Sequence, residues 1–317
     1  MRERVIVVLA IAFLAWFGMR FHMDTANDSQ TNAYVDSLLA SVRNRTLAAD
    51  GTGHYSLLAA LFVFPIGSAL ERVTGAYQIR GLVSALLLLS GALYAAAYSW
   101  YRRVGLGWFT SLIGLAILST SVAFATQIRG WEIDKLIEPT LFLVAALAAW
   151  DEHYLLVVAI AALAVMNRET GAFVPLVALA AVAQRQGGFR AALTAWPVWA
   201  CAIVCLVEVA LFRQVGPAPT VKRFWPDLNL ERLAYLTGGL CLTPLLALAW
   251  FSSAPSGLKQ LFLLAPIWVV FVLATDQLEQ GLVLIAPLAL LFVPITLAGV
   301  EQALQDVVRA PAVPAER

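Results

Sequence analysis

Apolar runs broken by short polar punctuation occupy the chain from end to end, and their lengths predict helices rather than strands. Candidate membrane spans fall at 5–21, 82–100, 105–125, 136–150, 154–166, 172–184, 192–212, 236–251, 260–275 and 281–299. A helix needs about 20 residues to cross about 30 Å of hydrocarbon. The two runs flanking Asn167-Arg168-Glu169 are only about 12 or 13 residues each, so this polar triplet joins two short helices. A further apolar run, 55–70, is interrupted by Pro65 and Gly67 and followed directly by Glu71 and Arg72. We read it as lying along the outer surface. Arg2, Arg4, Arg102, Arg103, Arg185, Arg190 and Lys259 then all fall on the cytoplasmic side, where short loops favour Lys and Arg. Were 55–70 to span instead, Arg102 and Arg103 would face outward.

The predicted fold class is therefore an all-α polytopic membrane protein of about ten transmembrane helices. Both termini are cytoplasmic, and the polar loops 22–54, 126–135, 167–171, 213–235 and 276–280 lie outside. The first outer loop, 22–81, has an amphipathic, interfacial character: Tyr34, Val35, Leu38, Leu39 and Val42 recur at helical spacing, with a turn signal at Asp50-Gly51-Thr52-Gly53. Residues 1–300 form one transmembrane domain, and 301–317, with Pro311 and Pro314, reads as a frayed cytoplasmic tail. Met1 and the apolar run after it read as an uncleaved first helix, because no small-residue cleavage site follows.

Composition narrows the function classes. Hydrophobic residues are 61% of the 317 and charged residues 13%, against about 25% in a soluble domain. A net charge of +1, with no Lys/Arg cluster, argues against a nucleic-acid partner. Cys201, Cys205 and Cys241 sit in apolar runs without metal-ligand spacing and read as packing residues, and the three histidines are too scattered for a metal site. No serine-nucleophile motif, phosphate-binding loop or dinucleotide fingerprint occurs.

The strongly polar groups gather on the outer face. Most loop charges need no explanation beyond solvation, but Asp24, Glu169 and Glu208 abut or interrupt apolar spans, where an ionisable group is costly. Asp24, directly after the first span, suits a general base toward a hydroxyl, or a ligand holding a divalent cation against phosphate oxygens, and Asp28 suits either role. In Asn167-Arg168-Glu169-Thr170-Gly171, Arg168 can pair with Glu169 or contact a phosphate, while Asn167 and Thr170 can cap a flanking helix. Glu132, Asp134 and Glu138 bring three acids to a span entry, where Pro139 suits a helix start. Lys222 and Arg223, followed by Phe224 and Trp225, fit a headgroup-level aromatic belt or an anionic lipid head.

This order of features resembles the GT-C superfamily of polyprenyl-phosphate-dependent glycosyltransferases, which includes protein mannosyltransferases and aminoarabinose transferases. The likeness is carried by Met23-Asp24 opening the first loop, Asn32-Ala33-Tyr34, His54-Tyr55-Ser56-Leu57-Leu58, Arg80, Tyr101-Arg102-Arg103, the Asn167–Thr170 turn and Asp276-Gln277-Leu278-Glu279. It covers most of 1–300 as architecture, through short motifs. The resemblance implies inverting transfer of a sugar from a polyprenyl-phosphate donor to a lipid or glycan acceptor, on the outer (periplasmic) face of a bacterial inner membrane. Asp24, or Asp28 in its place, would be the catalytic carboxylate. Arg168 would hold the phosphate, with Asn167, Glu169, His54, Glu132, Lys222, Arg223 and Glu279 as further substrate-binding candidates. A divalent cation is the one cofactor in view, with Asp24 its candidate ligand. Relatives often pair two acids in the first loop and place Arg where Gln280 stands. Two other readings stay open: a transporter or flippase of an amphipathic anion, and a catalytically inactive membrane partner.

Overall fold

The computed structural model describes residues 2–25, 69, 78–129, 134–167, 169–215, 242–262, 264–268 and 285–309. Every regular element among them is helical. The longer helices are α1 (Arg2–Thr25), α2 (Gln78–Arg103), α3 (Trp108–Arg129), α4 (Asp134–Trp150), α5 (Tyr154–Asn167), α6 (Val174–Gln186) and α8 (Trp196–Val215), with a short α7 (Phe189–Ala192) between the last two. After them come α9 (Thr243–Ala249) and α10 (Ser256–Leu261). A C-terminal helix closes the order, built from Ile285–Pro287, a π-helical Leu288–Phe292 and Val293–Arg309.

The helix ends show why the chain reverses where it does. At the end of α2, Leu106 N–H returns to Tyr101 C=O at 3.1 Å while Gly105 takes φ +99°, a left-handed cap that costs glycine nothing. The end of α4 is built alike, His153 N–H bonding Ala148 C=O at 2.8 Å, but there Glu152 carries the positive φ of 64°. These tight reversals make neighbouring helices antiparallel.

A consistent polarity follows. The Tyr98 hydroxyl donates to Glu3 at 3.3 Å, setting the start of α1 against the end of α2. Arg103 pairs with Asp151, and Arg185 reaches both Glu152 and the Trp150 carbonyl. The rings of Tyr154 and Trp196 meet edge to face at 6.2 Å, Gly257 of α10 lies against Gln184 of α6, and Glu301 accepts from Gly107 N–H at 3.4 Å. All of these contacts lie at one end of the bundle, hereafter the basal end. It gathers Arg102, Arg103, Arg185 and Lys259, the cations that the sequence assigns to the cytoplasmic side. Because α1 leaves this end and α2 returns to it, the chain quits α1 and enters α2 at the same, distal end.

Three boundaries differ from expectation. Pro139 lies inside α4 rather than opening it, since the helix begins at Asp134. The helix expected at 236–251 contributes only Thr243–Ala249 among the described residues. The C-terminal helix runs on to Arg309, so the first nine residues of the expected frayed tail are helical. The interfacial helix expected at 34–43 and the 55–70 run lie outside the described residues, apart from Ala69.

The core is continuous and is made of small and branched residues from α2 to α6, α8 and the C-terminal helix, around Leu93, Trp100, Phe142, Ala161, Val177 and Leu290. Ile285–Asp306 is 22 residues long and apolar enough to cross a membrane, and the helices contain shorter apolar stretches at Trp108–Ala123, Leu136–Trp150, Tyr154–Asn167 and Trp196–Leu211. The outward faces are apolar too. Val8, Leu9, Leu155, Trp199, Ile203 and Leu206 are all more than half exposed.

Inside that core, Pro294 has no N–H to return to the Leu290 carbonyl four residues back, and a π-helical turn sits at this point. The buried Trp100 indole donates to the Leu290 carbonyl at 3.0 Å and satisfies it from α2. Trp100→Phe, which deletes the donor together with part of the indole volume, is expected to cost about 1–3 kcal/mol for the buried acceptor left short, with a cavity cost added to it. Denaturation of purified variant and parent measures it, and equal stability would mean that the carbonyl has another donor and the site closes over the lost volume.

Candidate functional site

The structure gives the Asn167 junction a definite form. α5 and α6 are only 14 and 13 residues, or about 20 Å each at 1.5 Å per residue, and a 3₁₀ turn, Glu169–Phe173, links them. This turn folds back onto α5 so closely that a Cβ added at Gly171 would lie 2.1 Å from the Ala164 carbonyl carbon. Asn167 is fully buried and Thr170 nearly so. Pro175 in the first turn of α6 and Gly187 after its last residue fix both ends of that helix.

Counting along the helices from the basal end places four polar groups at one depth. Glu138 precedes Trp150 by 12 residues on α4, Asn167 follows Tyr154 by 13 on α5, and Glu208 follows Trp196 by 12 on α8. Each lies roughly 18–20 Å from the basal turns, and Thr170 sits beside Asn167 in the 3₁₀ turn. The helices that carry them are neighbours: α4 packs on α5 and α6, and α8 packs on α5, α6 and the turn. Glu138 is buried and Glu208 half-buried, with one Glu208 carboxylate oxygen lacking a hydrogen-bond partner. Two carboxylates, an amide and a hydroxyl thus form a polar layer at one depth of a largely apolar bundle.

Below this layer lies an aromatic cluster. The Trp268 ring is 4.8 Å from Phe142 and 5.4 Å from Phe173, centroid to centroid. Phe142 is one helical turn from Glu138, and Phe173 is one 3₁₀ turn from Thr170, so the cluster and the layer share faces.

The predicted site residues fare unevenly. Asn167 sits in the layer, and Glu169 opens the 3₁₀ turn, its side chain outside the described residues. Asp24 lies in the last turn of α1, its side chain likewise outside. α1 packs against α2 and α3 rather than against the helices around the turn, and Asp24 is roughly 10 Å farther along the bundle than the layer. The described elements therefore do not bring Asp24 and Asn167 together. Asp28, His54, Glu132, Arg168, Lys222, Arg223 and Glu279 lie outside the described residues. Glu138 was grouped with loop acids by its neighbours Glu132 and Asp134, although its spacing to Phe142 and its flanking Leu136 and Ile137 already signalled an apolar helix face.

A surface cleft of ≈ 370 Å³ opens at the basal end between Leu106, Pro255 and Glu301, at the opposite end of the bundle from Asn167 and the α1 end that carries Asp24. Its Glu301 carboxylate is taken up by the Gly107 N–H just before α3, a favourable place for negative charge. Among the described residues no group of three or more His, Cys, Asp or Glu could hold a metal ion. A scan of protein-family models, a search of curated proteins and a search of solved structures each find no match to this chain.

Proposed function

We propose that the chain is a multi-pass membrane glycosyltransferase of the GT-C type, using a polyprenyl-phosphate sugar at the distal, outward end of the bundle. The observation that carries this reading is the polar layer of Glu138, Asn167, Thr170 and Glu208 around a hairpin of two short helices. Buried ionisable groups in a membrane bundle are costly and mark sites. The apolar outward faces support the membrane assignment, since an uncovered apolar surface of this kind is ordinary in hydrocarbon and a liability in water. The basal gathering of Arg102, Arg103, Arg185 and Lys259 supports an orientation with that end cytoplasmic. The return of α2 to the level of the α1 start supports reading 55–70 as interfacial.

In this reaction a carboxylate takes the proton of the acceptor hydroxyl, whose oxygen attacks the anomeric carbon from the side opposite the phosphate. The resemblance assigns this role to Asp24, and Glu138 and Glu208 are the carboxylates at the level of the turn. The carbon–oxygen bond to phosphate breaks, and the electron pair leaves with the polyprenyl phosphate. Arg168 holds that phosphate through its planar guanidinium fork. Were Asp24 instead to hold a divalent cation, the ion would neutralise the departing phosphate and another carboxylate would act as base.

The test is donor affinity alongside thermal stability. Arg168→Lys keeps the charge and loses the fork, so donor binding is expected to weaken without loss of fold, and Arg168→Ala to weaken it further. Steeply reduced stability with normal donor binding would make Arg168 a structural ion-pair partner instead. A transporter of an amphipathic anion would draw on the same layer, because the layer lies within the bundle rather than above it. Sugar released onto an acceptor, rather than lipid moved between leaflets, separates the two.

A further inference from the structure

Two buried hydrogen-bond donors near the 3₁₀ turn have no acceptor among the described residues. The Thr170 hydroxyl and the Trp268 indole nitrogen are both buried, at 2% and 1% exposure, and neither makes a hydrogen bond. An indole N–H can only donate, so nothing but an acceptor satisfies it. Leaving such a group unmet in an apolar bundle costs about 1–3 kcal/mol. The indole N–H of Trp100, also buried in the core, reaches the Leu290 carbonyl.

The two orphaned donors belong to one locality. Thr170 and Phe173 are three residues apart in a 3₁₀ turn, where such side chains eclipse, and Phe173 touches the Trp268 ring. Phe142, one turn from Glu138, meets that ring as well. From this arrangement we infer that Thr170 and Trp268 donate to the phosphate oxygens of the lipid-linked donor, on the aromatic floor formed by Phe142, Phe173 and Trp268. The inference rests on the proposed use of a polyprenyl-phosphate donor and adds two ligands to it. The chemistry required is an acceptor oxygen carried on an apolar body, which a phosphate on a polyprenyl chain supplies. The ring cluster, made wholly of carbon faces apart from the indole nitrogen, suits the first isoprene units beside the phosphate.

Full-length protein in lipid nanodiscs, titrated with undecaprenyl phosphate and separately with undecaprenol, tests it. Thr170→Val keeps the shape of the side chain and Trp268→Phe keeps an aromatic ring at reduced volume, and each removes one donor. Both are expected to weaken undecaprenyl phosphate binding about tenfold, as for a lost hydrogen bond to a charged group, and to leave undecaprenol binding unchanged. Without lipid, Thr170→Val is expected to keep or raise the thermal midpoint, because it deletes an unmet donor at nearly constant volume; a structural hydrogen bond would make it fall. Parental affinity for undecaprenyl phosphate in both variants, with Arg168→Ala weakened, overturns this inference and leaves the proposed function standing. Equal affinity of the unsubstituted protein for undecaprenol and undecaprenyl phosphate overturns the phosphate-donor reading itself, and this inference with it.

Discussion

Asp24→Asn is expected to lower sugar transfer by about 10²–10⁴ while leaving the bundle folded, the usual loss when a positioned general base is removed. Asparagine keeps the size and hydrogen bonding of the side chain and gives up only proton acceptance. Asp24 lies in the last turn of α1, a helix that packs against α2 and α3. Transfer assays with purified protein, alongside thermal unfolding, measure both halves. If Asp24→Asn transfers sugar at the parental rate, the base is elsewhere. Asp28 is then the next candidate in the first loop, and Glu138 and Glu208 are the carboxylates that the bundle places at the level of the turn.

The largest expected loss of stability belongs to Gly171→Ala. The new methyl would stand 2.1 Å from the Ala164 carbonyl carbon, 2.3 Å from its oxygen and 2.4 Å from the Val165 nitrogen. These are backbone atoms of α5, which cannot swing aside as a side chain can. Overpacking costs typically about 1–3 kcal/mol, and a backbone clash belongs at or beyond the top of that range. Gly91→Ala on α2 is the matched control. Its Cβ meets nothing within 4 Å, and a helix interior favours Ala over Gly by about 1 kcal/mol. Thermal unfolding should therefore move in opposite directions for the two variants. An unchanged midpoint for Gly171→Ala would show that the 3₁₀ turn does not pack against α5, and the polar layer would lose its shape.

The parts of this architecture that were legible in the sequence are those governed by apolar run length. Runs 154–166 and 172–184 became α5 and α6 within two residues, because Asn167 and Gly187 punctuate them. The grouping of Arg102, Arg103, Arg185 and Lys259 was legible through charge bias alone. Pro139 misled, because a proline early in an apolar run looks like a helix start, yet here the first turn of α4 precedes it. Glu138 and Trp268 were harder for different reasons. Apolar periodicity gives a helix face but not which neighbour covers it, so a glutamate beside two loop acids reads as solvated. A tryptophan in an apolar run reads as lipid-facing unless the missing acceptor of its N–H is visible. That Asp24 stands apart from the turn was likewise beyond sequence, since it depends on which helices α1 packs against.

The ties at the basal end have a consequence for how a long lipid could reach such a site. The turns that join α2 to α3, α4 to α5 and α6 to α8 there are short, and Arg103–Asp151 and Arg185–Glu152 cross-link three of those helices. A bundle gripped at its stems can splay only at the opposite rim. A bulky isoprenoid tail would then enter sideways from the outer leaflet, between helices, while the gripped end keeps the bilayer sealed against ions. Under the proposed function, entry of the substrate and integrity of the permeability barrier would fall to opposite ends of the same helices.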